Sequence, residues 1–368
     1  MGAPAWNAGG TRVQIPPARS NKVDNFIMLD NITDDEEVAP SGEAVKSTHR
    51  VEVVRIPEIT KHPNADTLGI VKIWGGYPVI VRLGEFQEGD LAAYIPPDSI
   101  VPEKPEWNFL KGHRRIRAIK LRGQISVGLL IAAPSGSTEG DDLASQLEIT
   151  HYNPQVKYSS SARIREEETS PPRGYYPVYD LESLRRYTRI LELGEEVVVT
   201  EKIHGQNCRI AQVDNEIFIS SHYRWKKWSP DSHWWGILTE AIAKGILSLP
   251  SGSCLYGELY GPVQALRYGL TTPQFRLFDV WTTGEWMCYD SMVAHANQWA
   301  IPCVPELYRG PFDLDHVLNL AEGQSVLPDA DHIREGCVVR PVIERIQKPV
   351  GRVVLKTVGH GYWIRKDL

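Results

Sequence analysis

Residues 196–205, EVVVTEKIHG, decide how the chain is read. Glu196 to Thr200 is short and β-branched, the composition of a buried strand. The strand ends in three ionisable groups, Glu201, Lys202 and His204, and Gly205 follows at once. A glycine there lets backbone approach a ligand closely. An amine presented this way is either a nucleophile or an ordinary strand lysine reaching solvent, and the stretch by itself leaves both readings open. Matching pieces downstream must arbitrate.

They follow in order. In SCLYGELYG, from Ser253, Tyr256, Glu258 and Tyr260 alternate on one strand face. A glutamate isolated in an apolar strand needs a partner, because an unpaired buried carboxylate is costly. FRLFDVW (275–281) is a strand that sets Phe278 and Asp279 on opposite faces, and REGCVVRPV (334–342) brings Glu335 into a strand beside Gly336. In RVVLKTV (352–358) Lys356 interrupts an apolar run. Together these read as a nucleotidyl-transfer site. An amine attacks the α-phosphorus of a nucleoside triphosphate, an aromatic face holds the base, carboxylates hold ribose and magnesium, and a second cation neutralises phosphate. Burial and a neighbouring cation are expected to lower the lysine pKa toward neutrality.

EKIHG (201–205), YGELYG (256–261), FRLFDVW (275–281), EGCVVRP (335–341) and VVLKTV (353–358) resemble motifs I, III, IIIa, IV and V of the covalent nucleotidyltransferases. That superfamily comprises DNA ligases, RNA ligases and mRNA capping enzymes. His204 stands where DNA ligases and capping enzymes usually have Asp, which resembles the RNA ligase 2-like branch. A barrel ahead of the catalytic domain and little chain after motif V are similar to the type 5 RNA ligases with an N-terminal OB domain. The resemblance implies that Lys202 is the AMP-bearing nucleophile, with Glu201 and Ile203 offering backbone to the adenine edge. It puts His204 near the AMP phosphate, Glu258 on the ribose and metal, Phe278 on the adenine face, Glu335 on divalent metal, and Lys356 on the α-phosphate. ATP and Mg2+ or Mn2+ are the implied cofactors. Two positions depart from the pattern: Val354 replaces the first lysine of a Lys-x-Lys in motif V, and Ser221-His222 replaces an expected arginine. Arg224 is the nearest candidate for that arginine.

Ahead of this domain, VEVVRI, GIVKIW, YPVIVRL, LAAYIP, RIRAIKL and SVGLLIA are strand-length runs separated by turn residues, the pattern of a small all-β barrel. HPNADTLGIVKI (62–73) resembles the opening of the tRNA-binding OB domains attached to some aminoacyl-tRNA synthetases. Within the barrel, KGHRRIRAIKLRG (111–123) offers Arg114, Arg115, Arg117, Lys120 and Arg122 as a nucleic-acid contact. In a strand, Arg115 and Arg117 share one face and Arg114 the other, so these cations cannot form one row; a solvated barrel surface is the competing reading. HYRWKKW (222–228) interleaves cations with aromatics, suiting either phosphate contact with base stacking or a loop whose tryptophans return to the core.

The expected fold class is α+β: an N-terminal OB β-barrel followed by a nucleotidyltransferase (ATP-grasp-like ligase) domain of antiparallel sheets with flanking helices. The expected domains are a disordered tail (1–48), the OB domain (49–142), a linker (143–179) and the catalytic domain (180–368). DLESLRRYTRIL, from Asp180, has helical spacing, and Asp231 to Leu247 reads as one amphipathic helix with its stripe at Trp234, Ile237, Leu238, Ala241, Ile242 and Ile246. A net charge of −6 means that nucleic acid must be held by local basic patches. The five cysteines, Cys208, Cys254, Cys288, Cys303 and Cys337, are scattered and odd in number, which points to a reducing, intracellular and cytoplasmic setting without structural zinc. No apolar run reaches the ~20 residues of a membrane span. Expected partners are RNA or an RNA-containing duplex, with no membrane, and the chain is expected to be monomeric. The function expected is ATP-dependent joining of 3′-hydroxyl and 5′-phosphate ends through lysyl-AMP, at nicks with RNA on the 3′-hydroxyl side. The rivals are a non-catalytic OB-containing RNA-binding protein, a DNA ligase and a GTP-using capping enzyme. The last two normally carry a further OB domain after motif V, for which no room is expected here.

Overall fold

The computed structural model describes residues 6–8, 11–13, 49–152 and 167–365. Of the tail, Trp6–Ala8 and Thr11–Val13 form an antiparallel pair; the rest of residues 1–48 lies outside the described part.

Residues 49–152 make a barrel from two three-stranded sheets. Ile59–Lys61, Leu68–Ile73 and Tyr77–Arg82 form a meander, and Leu91–Ile95 lies between Glu52–Arg55 and Leu129–Ala132. Alternation sets the inside: Val71, Ile73, Val79 and Val81 point in and meet Val54, Ala92, Tyr94 and Leu130. The run 115–121 is a strand only at Ile119–Leu121, which makes a hairpin with Gln124–Ser126. Arg122 and Gly123 turn that hairpin with φ of 43° and 90°. His62 pins it: its Nδ1 accepts from the Asn64 amide at 3.0 Å, and its Nε2 meets the Leu121 carbonyl at 3.2 Å. The HPNAD segment therefore has a structural duty, fastening one barrel turn to another.

Residues 143–152 are not a free connector. Leu143 and Ile149 are buried in the barrel core, and Thr150–His151 pairs with Ser99–Ile100. Residues 153–166, including the serine run, lie outside the described part.

The second domain is two antiparallel-paired sheets face to face. One has the order Glu182–Ser183, Leu355–Val358, Gly336–Pro341, Glu196–Lys202, Glu306–Pro311, with only the Glu182–Ser183 edge parallel to its neighbour. The other runs Trp225–Lys226, Glu216–Ser220, Gln206–Val213, Cys254–Tyr260, Gln274–Thr282, Glu285–Trp286. Helices Glu240–Leu247 and Tyr289–Trp299 cover the second sheet through Ile242, Ile246, Met292 and Ala296.

Two expected helices are different in the structure. The segment from Asp180 is a short strand followed by turns. Its backbone bonds to the Leu355–Val358 strand, with Leu184 N donating to the Lys356 carbonyl at 2.9 Å, while Leu184, Ile190 and Leu191 sink into the core. Tertiary pairing overrides a helical spacing of leucines. The Asp231–Leu247 helix is broken into His233–Gly236 and Glu240–Leu247, because Thr239 caps the second piece by accepting from the Ile242 amide. Its apolar stripe is nonetheless buried or half-buried as expected.

Candidate active site

The strand register builds the site. Lys202 ends its strand opposite Gly336, and Val338 on that neighbour lies opposite Lys356, so motifs I, IV and V sit side by side. Gly336 has no alternative: a Cβ there would stand 2.0 Å from the Thr357 carbonyl oxygen. On the second sheet Asn207 pairs with Glu258, and a bulge between Tyr256 and Gly257 leaves Phe278 without a direct partner, re-aiming it. Gly205 lets the two sheets close: a Cβ would meet the Leu259 carbonyl at 2.4 Å and the Glu258 side chain at 2.8 Å. The glycine thus makes room for the Glu258 strand, where the sequence suggested room for a ligand.

Between the sheets lies a cavity of about 210 Å³, lined by Thr200, Glu201, Lys202 and Ile203 from motif I, with Glu258, Phe278, Lys356, Asn207, His222, Tyr179 and Arg340 around it. Lys202 Nζ donates to Glu335 Oε1 at 2.6 Å, and His204 Nδ1 is 3.5 Å from Glu335 Oε2. Tyr362 closes the chain of contacts, its hydroxyl 2.9 Å from His204 Nδ1. Glu335 therefore stands against the lysine amine with His204 beyond it, and neither lines the cavity itself.

The charges set one another. Burial would lower the Lys202 pKa, but Glu335 and Glu258 outweigh it and hold the amine above its ordinary value. This reverses the expected lowering, because the neighbour in contact is a carboxylate, not the second lysine. Burial works against the Glu335 carboxylate, yet Lys202 and His204 hold it down at about 2. Glu258 keeps too little compensation: burial, with Glu335 nearby, pushes it up to about 8 despite Lys202. Lys356 lies below its usual value, first through burial and then through repulsion from Lys202.

Glu201 is almost wholly buried; one carboxylate oxygen accepts from the Val326 amide at 2.8 Å, and the other, Oε1, has no hydrogen-bond partner among the described residues. Asn207 Oδ1 is likewise buried without a partner in the cavity wall. Both are acceptors awaiting donors. Behind Phe278, Asp279 is fully buried and takes Arg340 at 3.2 Å, Arg352 at 2.7 Å and the Tyr179 hydroxyl at 2.7 Å, fixing the bulge.

Three expected placements are corrected. Arg224 is exposed and paired with Glu168 at 3.0 Å, away from the cavity; His222 lines the wall in its stead. Arg114 donates to the Val101 carbonyl, and Arg115 is bound to Asp98 at 2.6 Å and stacked over Tyr152 at 3.6 Å, so these two brace the barrel. Arg117, Lys120 and Arg122 are exposed. Trp225 of the cation–aromatic run is core, packed with Tyr176 and Tyr256. Sequence reading missed Asn207, Tyr179 and Arg340 as wall residues, and marked His222 only as standing in an expected arginine's place. Arg340, a lone cation in a valine strand, carried a usable signal, and His222 carried one through its place in the motif order; Asn207 and Tyr179 carried none.

Residues 195–358 match the RNA ligase family, and residues 50–133 match an OB-fold domain. The chain therefore carries an RNA ligase domain behind an OB domain, on an α+β fold of barrel and antiparallel sheets. Among solved structures it is similar to a lysine-to-alanine mutant of Naegleria gruberi RNA ligase with ATP and Mn, at 21% identity and a TM-score of 0.72, over 86% of this chain and 99% of that one. The same ligase with PPi matches at 21% identity and a TM-score of 0.72, over 86% and 98%, and a glutamate-to-alanine mutant with AMP and Mn at 22% and 0.72, over 86% and 99%. At such identity the likeness is one of fold. No curated protein matches the sequence at a significant level.

Proposed function

We propose that the chain is an ATP-dependent RNA ligase that joins 3′-hydroxyl and 5′-phosphate ends through a lysyl-AMP intermediate, sealing nicks with RNA on the 3′-hydroxyl side. The observation that carries this reading is the Lys202 amine at 2.6 Å from Glu335, at the wall of a cavity shared with Glu258, Phe278 and Lys356. In the first step the Lys202 nitrogen attacks the α-phosphorus of ATP, forming a P–N bond as pyrophosphate leaves and the amine loses a proton. In the second, the 5′-phosphate oxygen displaces Lys202 and takes the AMP. In the third, the 3′-hydroxyl attacks the activated 5′-phosphorus, a phosphodiester forms, and AMP departs.

Attack needs the neutral amine. The Glu335 contact holds the proton in the ligand-free site, so the reactive state is one in which that carboxylate is engaged elsewhere. Phe278 supplies a ring face for adenine, its own position set by the bulge and by Tyr179 at 4.7 Å between centroids. Glu201 Oε1 and Asn207 Oδ1, without a partner among the described residues, offer acceptors to amino or hydroxyl groups of the nucleotide. Lys356, across the strand from Val338, meets phosphate. His204 acts through Glu335, as a positioning residue.

The donor set suits a divalent ion. Glu258 is a carboxylate with more buried negative charge than its neighbours offset, and oxygen donors fit Mg2+ or Mn2+. Among the described residues no group of three or more His, Cys, Asp or Glu could cage a metal, so phosphate oxygens and water would complete the shell around Glu258 and Glu335. Such an ion would offset charge on the phosphates. Arg117, Lys120 and Arg122 on the barrel would contact RNA phosphates. Among the described residues no helix is long and apolar enough to cross a membrane.

Sealing of nicked RNA and DNA duplexes with ATP tests the reading. Joining that requires ribose at the 3′-hydroxyl side supports it; binding without joining on any duplex overturns it in favour of a non-catalytic binder. Sealing of DNA alone, or use of GTP in place of ATP, would reassign the substrate.

A further inference from the structure

A second concavity lies where the barrel meets the ligase domain. It is an open groove of about 760 Å³, against about 210 Å³ for the nucleotide cavity. Its barrel side is the outward face of the meander, where Thr60 and Ile70 are register partners and Lys72 follows two residues on. Its other side is the turn after Glu182–Ser183, with Arg186, Tyr187 and Arg189. The two sides are clasped together. Arg186 pairs with Glu52 at 2.6 Å and lies 4.6 Å from the Trp74 ring, and the Tyr77 hydroxyl donates to Ser183 Oγ at 2.7 Å. Trp74 itself sits at φ 49°, a left-handed conformation that a bulky residue adopts only under constraint.

Its chemistry is that of a polynucleotide track. Lys72 and Arg189 are exposed and, among the described residues, make no ion pair. Only Glu58 among the lining residues is acidic, and Trp74 and Tyr187 add ring surface. Free cations beside aromatics suit a phosphate backbone with its bases. The position fits as well. Leu181 lines the nucleotide cavity and Arg186 the groove, and five residues span at most ~18 Å, or about five nucleotide steps of ~3.4 Å.

Resting on the ligase reading, we propose that this groove holds the backbone of an RNA strand carrying one of the ends to be joined, with Lys72 and Arg189 contacting its phosphates. The test is binding of a fluorescent nicked RNA duplex by the full chain across a salt series, for wild type, Lys72→Ala/Arg189→Ala, Lys72→Glu/Arg189→Glu and the control Lys244→Ala. Both groove variants keep the wild-type melting temperature, since neither side chain has an ion pair to lose among the described residues. The alanine pair is expected to lower the slope of log affinity against log salt by about 0.7–0.9 per cation removed. Shortening one arm of the duplex below about five nucleotides removes the difference. A wild-type slope and affinity in both groove variants, or an equal fall in Lys244→Ala, overturns the proposal. Lysyl-adenylate formation needs no RNA and is read separately: unchanged in the groove variants it supports an RNA track, and lost in them it shows that the groove serves the nucleotide, which also overturns the proposal. Were the wild type to form no adenylate, the ligase reading would fail alone, with the salt slopes still deciding whether the groove holds RNA.

Discussion

At the cavity between the large sheets, Lys202 and Glu258 are half-buried and Glu335 is buried; the Lys202 amine is held above its ordinary value, Glu335 is held down at about 2 and Glu258 is pushed up to about 8. Around the barrel hairpin, Arg117, Lys120 and Arg122 stand exposed with no ion pair among the described residues. The two regions use charge for different ends. Buried groups whose state depends on a neighbour can be switched by a ligand, which is what chemistry requires. Exposed cations keep their charge and act through the field they make, which governs where a polyanion settles.

The largest expected effect breaks the buried set. Glu335→Gln frees the Lys202 amine but removes a carboxylate that would hold the divalent ion, and the second loss dominates: lysyl-adenylate formation is expected to slow by ~100-fold or more, the scale of losing one preorganised electrostatic partner. A rate within a few-fold of wild type would show that the Lys202–Glu335 contact is incidental.

Next comes Asp279→Asn. Asp279 is fully buried beneath Arg340 and Arg352, and uncovering buried cations costs ~3–5 kcal/mol. Denaturant unfolding measures it, and a loss below ~1 kcal/mol would mean that Glu344, which also meets both arginines, suffices alone.

A smaller effect is read against pH. Glu258 is pushed up to about 8, so between the ordinary carboxylate range and about 8 the folded chain keeps a proton that the unfolded chain has lost. Stability of the ligand-free chain therefore falls as pH rises through that window. Glu335, held at about 2, works the other way: its contribution is present above the ordinary carboxylate range and lost as pH falls toward about 2. Melting of Glu258→Gln should gain on the wild type between pH 5 and pH 8. A pH-independent difference would show that the Glu258 charge is already offset.

The smallest effect sharpens the exposed side. Arg117→Ala/Lys120→Ala/Arg122→Ala should leave adenylation intact and stability within ~0.5 kcal/mol, while lowering the salt slope of RNA binding by ~0.9 per cation. Arg115→Ala serves as the contrast, since it breaks the Asp98 and Tyr152 contacts and should cost stability instead.

The same division explains what the sequence revealed. Lys202, Glu258, Phe278, Glu335 and Lys356 were legible because a charged or aromatic residue in a short apolar strand breaks a local pattern, and strand register then brings four of them to one cavity, with Glu335 behind the Lys202 amine. The barrel was legible from alternation and turns. Asn207 was not, because nothing in its neighbours distinguishes an acceptor facing a cavity from one facing water. Arg114, Arg115 and Arg117 are nearly adjacent in sequence, yet two brace the barrel and the third makes no ion pair among the described residues; the partners of the first two, Val101, Asp98 and Tyr152, come from other segments. The expected helix from Asp180 failed for a related reason. Its leucine spacing is helical, but the Leu355–Val358 strand takes its backbone hydrogen bonds from 170 residues away.

Lys202 as nucleophile is the claim on which the rest depends, and one experiment addresses it directly. The full chain is incubated with α-labelled ATP and Mn2+ or Mg2+, and the label is mapped by peptide. The account predicts an acid-labile adenylate on the peptide containing Lys202, absent from Lys202→Ala and released as AMP-capped RNA when a 5′-phosphate end is added. Label that persists in Lys202→Ala, or that maps to any other residue, would contradict it.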